Sequence, residues 1–391
     1  MTIPQAFQEY YQKHHFKELT PIQAQVYEPL SQGASVLALA PTGSGKTLAF
    51  GMPLVQTVQP EGGVQAIIIE PSQELAIQTR DTIRELNPQL QVYGLIGGAN
   101  IKRQIEHLKT KPEVIVGTIG RLFDLVEKRK LKLKNVQHVI IDEADVMLSD
   151  KLGEVRSLLS RIPADFQLAL FSATVAPIFE QLSRWFNQQF MTIDLRQTGN
   201  FRAGIKHYFL LTSNAHKADV VQQLAHRLKK SNLVFYQSSK ELHHWAADMR
   251  YRRTYFAVLD TSDPKKRRED ALKALRNHKT SLLLTTDVAA RGMDITGLST
   301  VINFNNPQDL TQYIHRSGRT GRMGSNGEVI TLGNEHDYRQ LQNMLRPAKI
   351  RLQQVQLQDK KLLLNNASTA PRVTFKKKKT HGSKNKGQHN K

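Results

Sequence analysis

Short apolar runs alternate along most of the chain with longer stretches of helical period. Between residues 33 and 170 the runs are S-V-L-A-L-A (35 to 40), V-Q-A-I-I-I-E (64 to 70), Q-V-Y-G-L (91 to 95), V-I-V-G (114 to 117), V-I-I-D (139 to 142) and Q-L-A-L-F-S (167 to 172). Runs this short and this apolar predict strands buried on both faces, and the helical stretches between them predict crossovers. The fold class is therefore α/β, with a parallel sheet covered by helices. The pattern then repeats as I-K-H-Y-F-L-L (205 to 211), L-V-F-Y (233 to 236), F-A-V-L (256 to 259), S-L-L-L-T-T (281 to 286), V-I-N-F (301 to 304) and G-E-V-I-T-L (327 to 332). Two domains of similar design are predicted, over 1–200 and 201–350. They join at R-Q-T-G-N-F-R-A-G (196 to 204), where two glycines and an asparagine interrupt the apolar periodicity. From Lys361 the periodicity stops and like charge accumulates, so 361–391 is expected to be a disordered basic tail.

Composition agrees with this division. A chain of 391 residues suits two to three domains at roughly 150 residues each. Lys plus Arg number 55 against 34 Asp plus Glu, a formal +21, of which residues 371–391 supply +8 and the preceding 370 residues +13. Such a field favours polyanions. The charge of the body fits either a grip on a phosphate backbone or a lysine-rich solvated surface. With no cysteine, thiolate metal sites, disulfides and thiol nucleophiles are excluded. The first residues carry neither a basic start nor an apolar secretion segment, and no run reaches membrane-spanning length, so a cytoplasmic protein without a membrane partner is expected.

The first strand runs into A-P-T-G-S-G-K-T (40 to 47). Gly43 and Gly45 let the backbone curl its N–H groups around phosphates, Lys46 reaches the outer phosphoryl groups, and Thr47 ligates magnesium at a helix start. An acidic partner for that metal is offered by H-V-I-I-D-E-A-D (138 to 145). There Asp142 ends an apolar strand as a magnesium ligand, and Glu143 is placed to polarise the attacking water. Taken alone, D-E-A-D also suits an acidic helix start.

With these motifs in this order, the chain resembles the DEAD-box ATP-dependent RNA helicases, as a compact bacterial-type member with a short basic extension. The likeness covers residues 7 to about 340. It implies two tandem RecA-like parallel-sheet domains of the P-loop NTPase type, with ATP and Mg2+ as cofactors. It also implies that Thr42 and Ser44 join Gly43, Gly45, Lys46 and Thr47 at the nucleotide, with Glu143 as base. Phe16, Thr20 and Gln23 fall on the family's adenine-recognising segment, where Gln23 would pair its amide with the base in bidentate fashion. Ser172 and Thr174 of S-A-T fall on the motif that couples ATP state to duplex opening through Asp145.

In the second half, Y-I-H-R-S-G-R-T-G-R (313 to 322) holds arginines that suit clamping of phosphates in trans. The resemblance makes Arg319 and Arg322 the fingers, with His315 and Arg316 transmitting nucleotide state to the acidic motifs. It places Thr286, Asp287 and Arg291 on the RNA side and Asp294 near the nucleotide. In the first half, Ser72, Gly97, Gly98, Thr118 and Arg121 would hold successive RNA phosphates without reading bases.

The activity implied is RNA-stimulated ATP hydrolysis, coupled to closure of the two domains and to local, non-processive separation of short duplexes or remodelling of RNA–protein complexes. An ATP-gated RNA clamp is the alternative. A monomer is expected, and ribosomal precursors, RNA-decay complexes and growth in the cold are the candidate settings. The chain departs from the family at Gln73 (Arg), Ile119 (Pro), Leu19 (Pro) and Leu259-Asp260 (His-Gly), while Arg268 keeps its expected relation to the following helix.

Overall fold

The computed structural model describes residues 2–196, 204–227, 231–290, 298–321, 326–358 and 361–364. The first half opens with α1 (Gln8–Lys13), α2 (Pro21–Ser31), β1 (Val36–Leu39), α3 (Lys46–Thr57), β2 (Ala66–Glu70) and α4 (Gln73–Leu86). It continues with β3 (Val92–Leu95), α5 (Ile101–Leu108), β4 (Val114–Thr118), α6 (Ile119–Glu127), β5 (His138–Ile141) and α7 (Ala144–Leu159). It closes with β6 (Gln167–Ser172), α8 (Leu182–Phe186) and β7 (Met191–Asp194). The second half runs β8 (Ile205–Leu211), α9 (Lys217–Arg227), β9 (Asn232–Tyr236), α10 (Ser239–Tyr251), β10 (Ala257–Leu259), α11 (Lys265–Arg276) and β11 (Leu282–Thr286). After these come α12 (Asp287–Ala290), β12 (Thr300–Asn303), α13 (Leu310–Ser317), β13 (Gly327–Gly333), α14 (Glu335–Leu345), β14 (Leu352–Gln358) and β15 (Lys361–Leu364).

The first sheet has the order β3-β4-β2-β5-β6-β1-β7 and the second β10-β11-β9-β12-β13-β8-β14-β15. Counted from the start of each half, the order 3-4-2-5-6-1-7 is the same in both. The pairings are parallel throughout, except that β15 runs antiparallel to β14.

Each sheet separates two cores, because side chains alternate between faces along a strand. Val36, Ala38, Ala66 and Ile68 pack toward α2 and α3, while Leu37, Leu39, Ile67 and Ile69 pack toward α6 and α7. In the second sheet Leu233 and Phe235 face one core, and Val234 and Tyr236 the other. This double burial is why the central strands read as unbroken apolar runs.

The strands toward the later edge of each sheet did not read that way. In β7, Met-Thr-Ile-Asp shows only Ile193 buried, and β14 alternates with glutamines, so their two-residue pattern gives no apolar run. A correction follows for the expected tail. Lys361–Leu364 is a strand, with Leu362 packed on the second sheet's core and Leu364 opposite Val355, so the ordered fold runs past both 350 and 361. The rest of the proposed tail, and residues 197–203 of the proposed join, lie outside the described residues. Among the described residues no helix is long and apolar enough to cross a membrane.

Phe171 is fully buried on β6 and meets Phe50 of α3 edge-on, with centroids 5.2 Å apart. Phe171→Ala should cost about 3–5 kcal/mol. A urea titration would show this as a lowered midpoint for the first domain's transition, with the exposed Val175→Ala as a near-neutral comparison (within about 0.5 kcal/mol).

Candidate active site

Loops at the carboxyl ends of parallel strands form the ligand edge of such sheets. Here β1 leads into the phosphate loop, β5 into Asp142 and β6 into Ser172–Thr174, while β2, β4 and β3 lead to Ser72, Thr118 and Gly97. The sheet order places the two groups side by side on one edge.

Within the phosphate loop Gly43 and Gly45 take left-handed backbone angles (φ +79° and +87°), which glycine adopts without steric cost. Thr42 Oγ1 and Ser44 Oγ are buried with no hydrogen-bond partner. Lys46 is buried and its Nζ donates to the Ala40 carbonyl at 3.3 Å. An ammonium and two orphaned hydroxyls beside a turned glycine backbone suit a phosphate chain. Thr47 is half-buried in the first turn of α3.

Asp142 is buried and accepts from the Glu143 N–H at 2.8 Å. Burial pushes its pKa up to about 7 against the nearby Lys46 charge, and the Glu143 charge adds to the rise. Such a carboxyl gains from any cation that joins it. Glu143 caps α7 in the left-handed region (φ +47°), a geometry costing a non-glycine residue roughly 1–2 kcal/mol. Strained backbone of this kind collects at functional sites.

Asp145 joins the two halves of the molecule. Thr174 Oγ1 donates to it from the first domain, and His315 Nε2 approaches at 3.3 Å from the second. The same imidazole lies 3.5 Å from Glu143. Burial opposes protonation of His315, but the Glu143 carboxylate and the Asp145 carboxylate beside it outweigh burial and hold its pKa above the ordinary value. Burial likewise opposes ionisation of Asp145, yet the His315 imidazole beside it and the Thr174 hydroxyl that donates to it hold its pKa below the usual range. Glu143, Asp145 and His315 bring three metal-capable atoms within 4.8 Å of one another. Magnesium prefers an all-oxygen shell, so the imidazole serves better as the cation of this set.

Two further contacts cross between the domains. Gly318 lies so close to the phosphate loop that a Cβ there would stand 2.7 Å from Thr42 Cβ. Arg268 pairs with Glu74 at 2.9 Å. Arg319 is half-buried, and its charge is felt by His315. Arg291, Asp294 and Arg322 lie outside the described residues.

Arg316 corrects an expectation. It does not meet the first domain's acidic motifs but forks onto Asp287 of its own domain at 2.7 and 2.6 Å, and also donates to Asn303 at 3.2 Å. A fully buried guanidinium needs such a partner close at hand. Asp287, expected on the RNA side, is thereby engaged, and Gln312 donates to it as well. Thr286 is buried and accepts from the Ala289 N–H at the start of α12.

At the other end of the site, Gln23 is buried in α2. Its Oε1 accepts from the Thr20 N–H and from the Tyr11 hydroxyl, each at 2.8 Å, and its Nε2 donates to the Gly45 carbonyl at 3.3 Å. Two donors already fill that oxygen, so this geometry leaves only the N–H side for a base, where the sequence suggested bidentate pairing. Phe16 is half-buried and meets Tyr11 edge-on at 5.7 Å.

A family described as DEAD/DEAH box helicase matches residues 20–182, and one described as helicase conserved C-terminal domain matches residues 216–324. The chain is 35% identical over 338 residues to the DEAD-box ATP-dependent RNA helicase CshC of Bacillus cereus, covering 85% of this chain and 87% of that protein. The chain belongs to the DEAD-box RNA helicases. As a member of that family it is an ATP-hydrolysing enzyme, an ATP-dependent RNA helicase. The probable ATP-dependent RNA helicase YfmL of Bacillus subtilis is 34% identical, over 88% of this chain and 93% of its own. Among solved structures, S. cerevisiae Dbp5 bound to RNA and ADP BeF3 superposes with a TM-score of 0.81 at 26% identity, covering 91% of this chain and 94% of that one.

On the helicase's remaining edge, Ser72 Oγ accepts from the Leu75 N–H as the cap of α4, and Arg121 donates to Gln104 at 2.6 Å and to the Ala99 carbonyl. Gln73 lies against the Gly97–Gly98 turn, where a Cβ on Gly97 would stand 3.4 Å from its amide nitrogen. Ile119 and Leu19 are buried in the cores, which accounts for an apolar residue at each. Asp260 is fully buried, accepts from Ser239 Oγ at 2.9 Å and pairs with His243 at 3.0 Å, fixing the turn between β10 and α11.

Glu70 carries no motif, yet the fold buries it completely at the end of β2. Thr79 donates to one oxygen at 2.7 Å and the other has no partner. Burial and then the Asp142 charge raise its pKa well above the carboxylate range. The signal available in the sequence was a carboxylate closing an otherwise apolar run.

The His315–Asp145 contact predicts a pH dependence. A histidine whose pKa is raised by the contact strengthens it below its ordinary value, about 6.5, and the gain fades as pH rises through the raised value. With labels on Met191→Cys and Tyr251→Cys, selective because the chain has no other cysteine, energy transfer without nucleotide should report tighter domain contact near pH 6.5 than near pH 9. His315→Asn should flatten that slope.

Proposed function

We propose that the helicase hydrolyses ATP in a site completed only when its two domains meet, and uses that closure to separate short RNA duplexes locally or to remodel RNA–protein complexes. The observation that carries this reading is the shared environment of Asp145, which takes Thr174 from one domain and His315 from the other. The contact of Gly318 with Thr42 supports it. So does the likeness to a relative whose structure holds RNA and a nucleotide.

In this mechanism Thr42, Ser44, Gly45 and Lys46 hold the phosphates. Thr47 and Asp142 would hold magnesium, which when bound neutralises charge on the outer phosphates. Glu143 orients the attacking water and takes its proton on the side-chain carboxylate, while Asp142, its pKa raised to about 7 by burial, would be held ionised by the metal and Lys46 together. Arg319, with Arg322, offsets the negative charge that develops on the transferred group, and does so only from the closed arrangement. Bound RNA favours closure when it binds that arrangement better than the open one. Ser72, Gly97, Gly98, Thr118 and Arg121 lie along one edge and suit backbone contacts, which carry no sequence preference and weaken with salt. We place the protein in the cytoplasm, as a monomer acting on structured RNA in ribosome assembly, RNA decay or growth in the cold.

The test is ATP turnover with and without RNA, alongside strand separation. RNA should raise turnover, and Glu143→Gln should lower it by about 10²-fold or more while retaining ATP. Gly318→Val should leave ATP binding to the first domain intact and remove RNA stimulation. Full turnover in Glu143→Gln would overturn the assignment of the base. ATP-dependent retention of RNA without strand separation would favour the clamp instead.

A further inference from the structure

Tyr11 lies outside every motif that identifies the chain, and yet its side chain is held against Gln23. It projects from α1 and is 1% exposed. Its hydroxyl has two neighbours, Gln23 Oε1 at 2.8 Å and the Met52 sulfur at 3.7 Å. A thioether is a weak acceptor, so the phenolic proton goes to the glutamine. Burial also raises the phenol's pKa, which keeps that proton in place.

The orientation of the Gln23 amide follows from its neighbours. The Thr20 backbone N–H can only donate, so the atom 2.8 Å from it is the amide oxygen. Tyr11 then occupies the second lone pair of the same oxygen. One N–H of Nε2 goes to the Gly45 carbonyl in the phosphate loop. What remains for a ligand is a single N–H donor. On the major-groove edge of adenine, N7 accepts and the 6-amino group donates. A lone donor can therefore meet N7 but cannot take the amine.

We propose that Tyr11 is a positioning residue of the nucleobase site: it holds Gln23 as a donor to purine N7 and, through Gly45, ties occupancy of the base site to the phosphate loop. This rests on the ATP-site reading above. It separates two tasks that one glutamine would otherwise perform together. Gln23 recognises a purine, and the 6-amino group must find its acceptor elsewhere. The Tyr11 ring also packs edge-on to Phe16, so one residue braces both side chains expected at the base.

The test compares ATP with 7-deaza-ATP, in which N7 is replaced by C–H, using the full chain at saturating RNA. Wild type should show a KM for 7-deaza-ATP about tenfold above that for ATP, the size of one lost hydrogen bond in a buried site. Tyr11→Phe keeps the ring and removes the hydroxyl. It should raise KM for ATP by about tenfold with kcat within about twofold, and bring the 7-deaza-ATP to ATP ratio close to one. Loss of packing alone would leave that ratio at its wild-type value, which would overturn the proposal. Met52→Leu, which alters only the weak neighbour of the hydroxyl, should keep the wild-type ratio. Equal use of the two nucleotides by wild type would also overturn the role of Tyr11, while leaving ATP hydrolysis by the helicase untouched. If instead the chain turned over neither nucleotide, the hydrolysis reading would fail, and equilibrium binding of the two compounds to wild type and Tyr11→Phe would still read the same ratio.

Discussion

Buried carboxylates are costly unless something answers their charge, and one sheet edge of this molecule gathers three of them: Glu70, Asp142 and Asp145. Each is answered differently. Glu70 avoids the charge, with Thr79 on one oxygen and a pKa driven well upward by burial. Asp142 has Lys46 nearby and remains close to neutral titration, which leaves it ready for a cation. Asp145 reaches across to His315 on the other domain. The joining of the two domains at this point is thus tied to an electrostatic need of the first one, in addition to any apolar contact.

The two sheets share one strand order through seven strands, and what differs is the chemistry of the segments that connect the strands. The first carries the glycine-rich phosphate loop and the acids. The second contributes His315 and Arg316 from α13 and Arg319 from the turn after it, with Arg316 fixed by its fork onto Asp287 and His315 facing Glu143 and Asp145. A repeated scaffold has in this way become two unlike halves of one site.

What could be read from the sequence follows from burial. Central strands such as β2 and β9 are covered on both faces and appear as apolar runs, so the two-sheet architecture was visible. β7 and β14, toward the later edge of each sheet, mix polar with apolar residues and left no comparable trace, and β15 is only the four residues Lys-Leu-Leu-Leu. The phosphate loop was legible because strand, glycines, lysine and helix are contiguous. Tyr11 with Gln23, Arg268 with Glu74, and Arg316 with Asp287 were not, because motifs marked Gln23, Arg316 and Asp287 singly, while the pairing of each with its partner is made only by folding. Glu70 falls between these cases, since its position at a strand end was readable but its isolation from solvent was not.

The strand order also has a temporal side. β1 lies between β6 and β7, and Val36 pairs with Ala169, 133 residues later. Ribosomes extend a chain at about 5–20 residues per second, so β1 emerges roughly 7–27 s before its first partner strand. Until then an apolar segment and the loop that follows it have no sheet to join. The strand that begins the nucleotide site is among the first made and among the last to be enclosed, and during synthesis it passes through an interval without either of its partner strands.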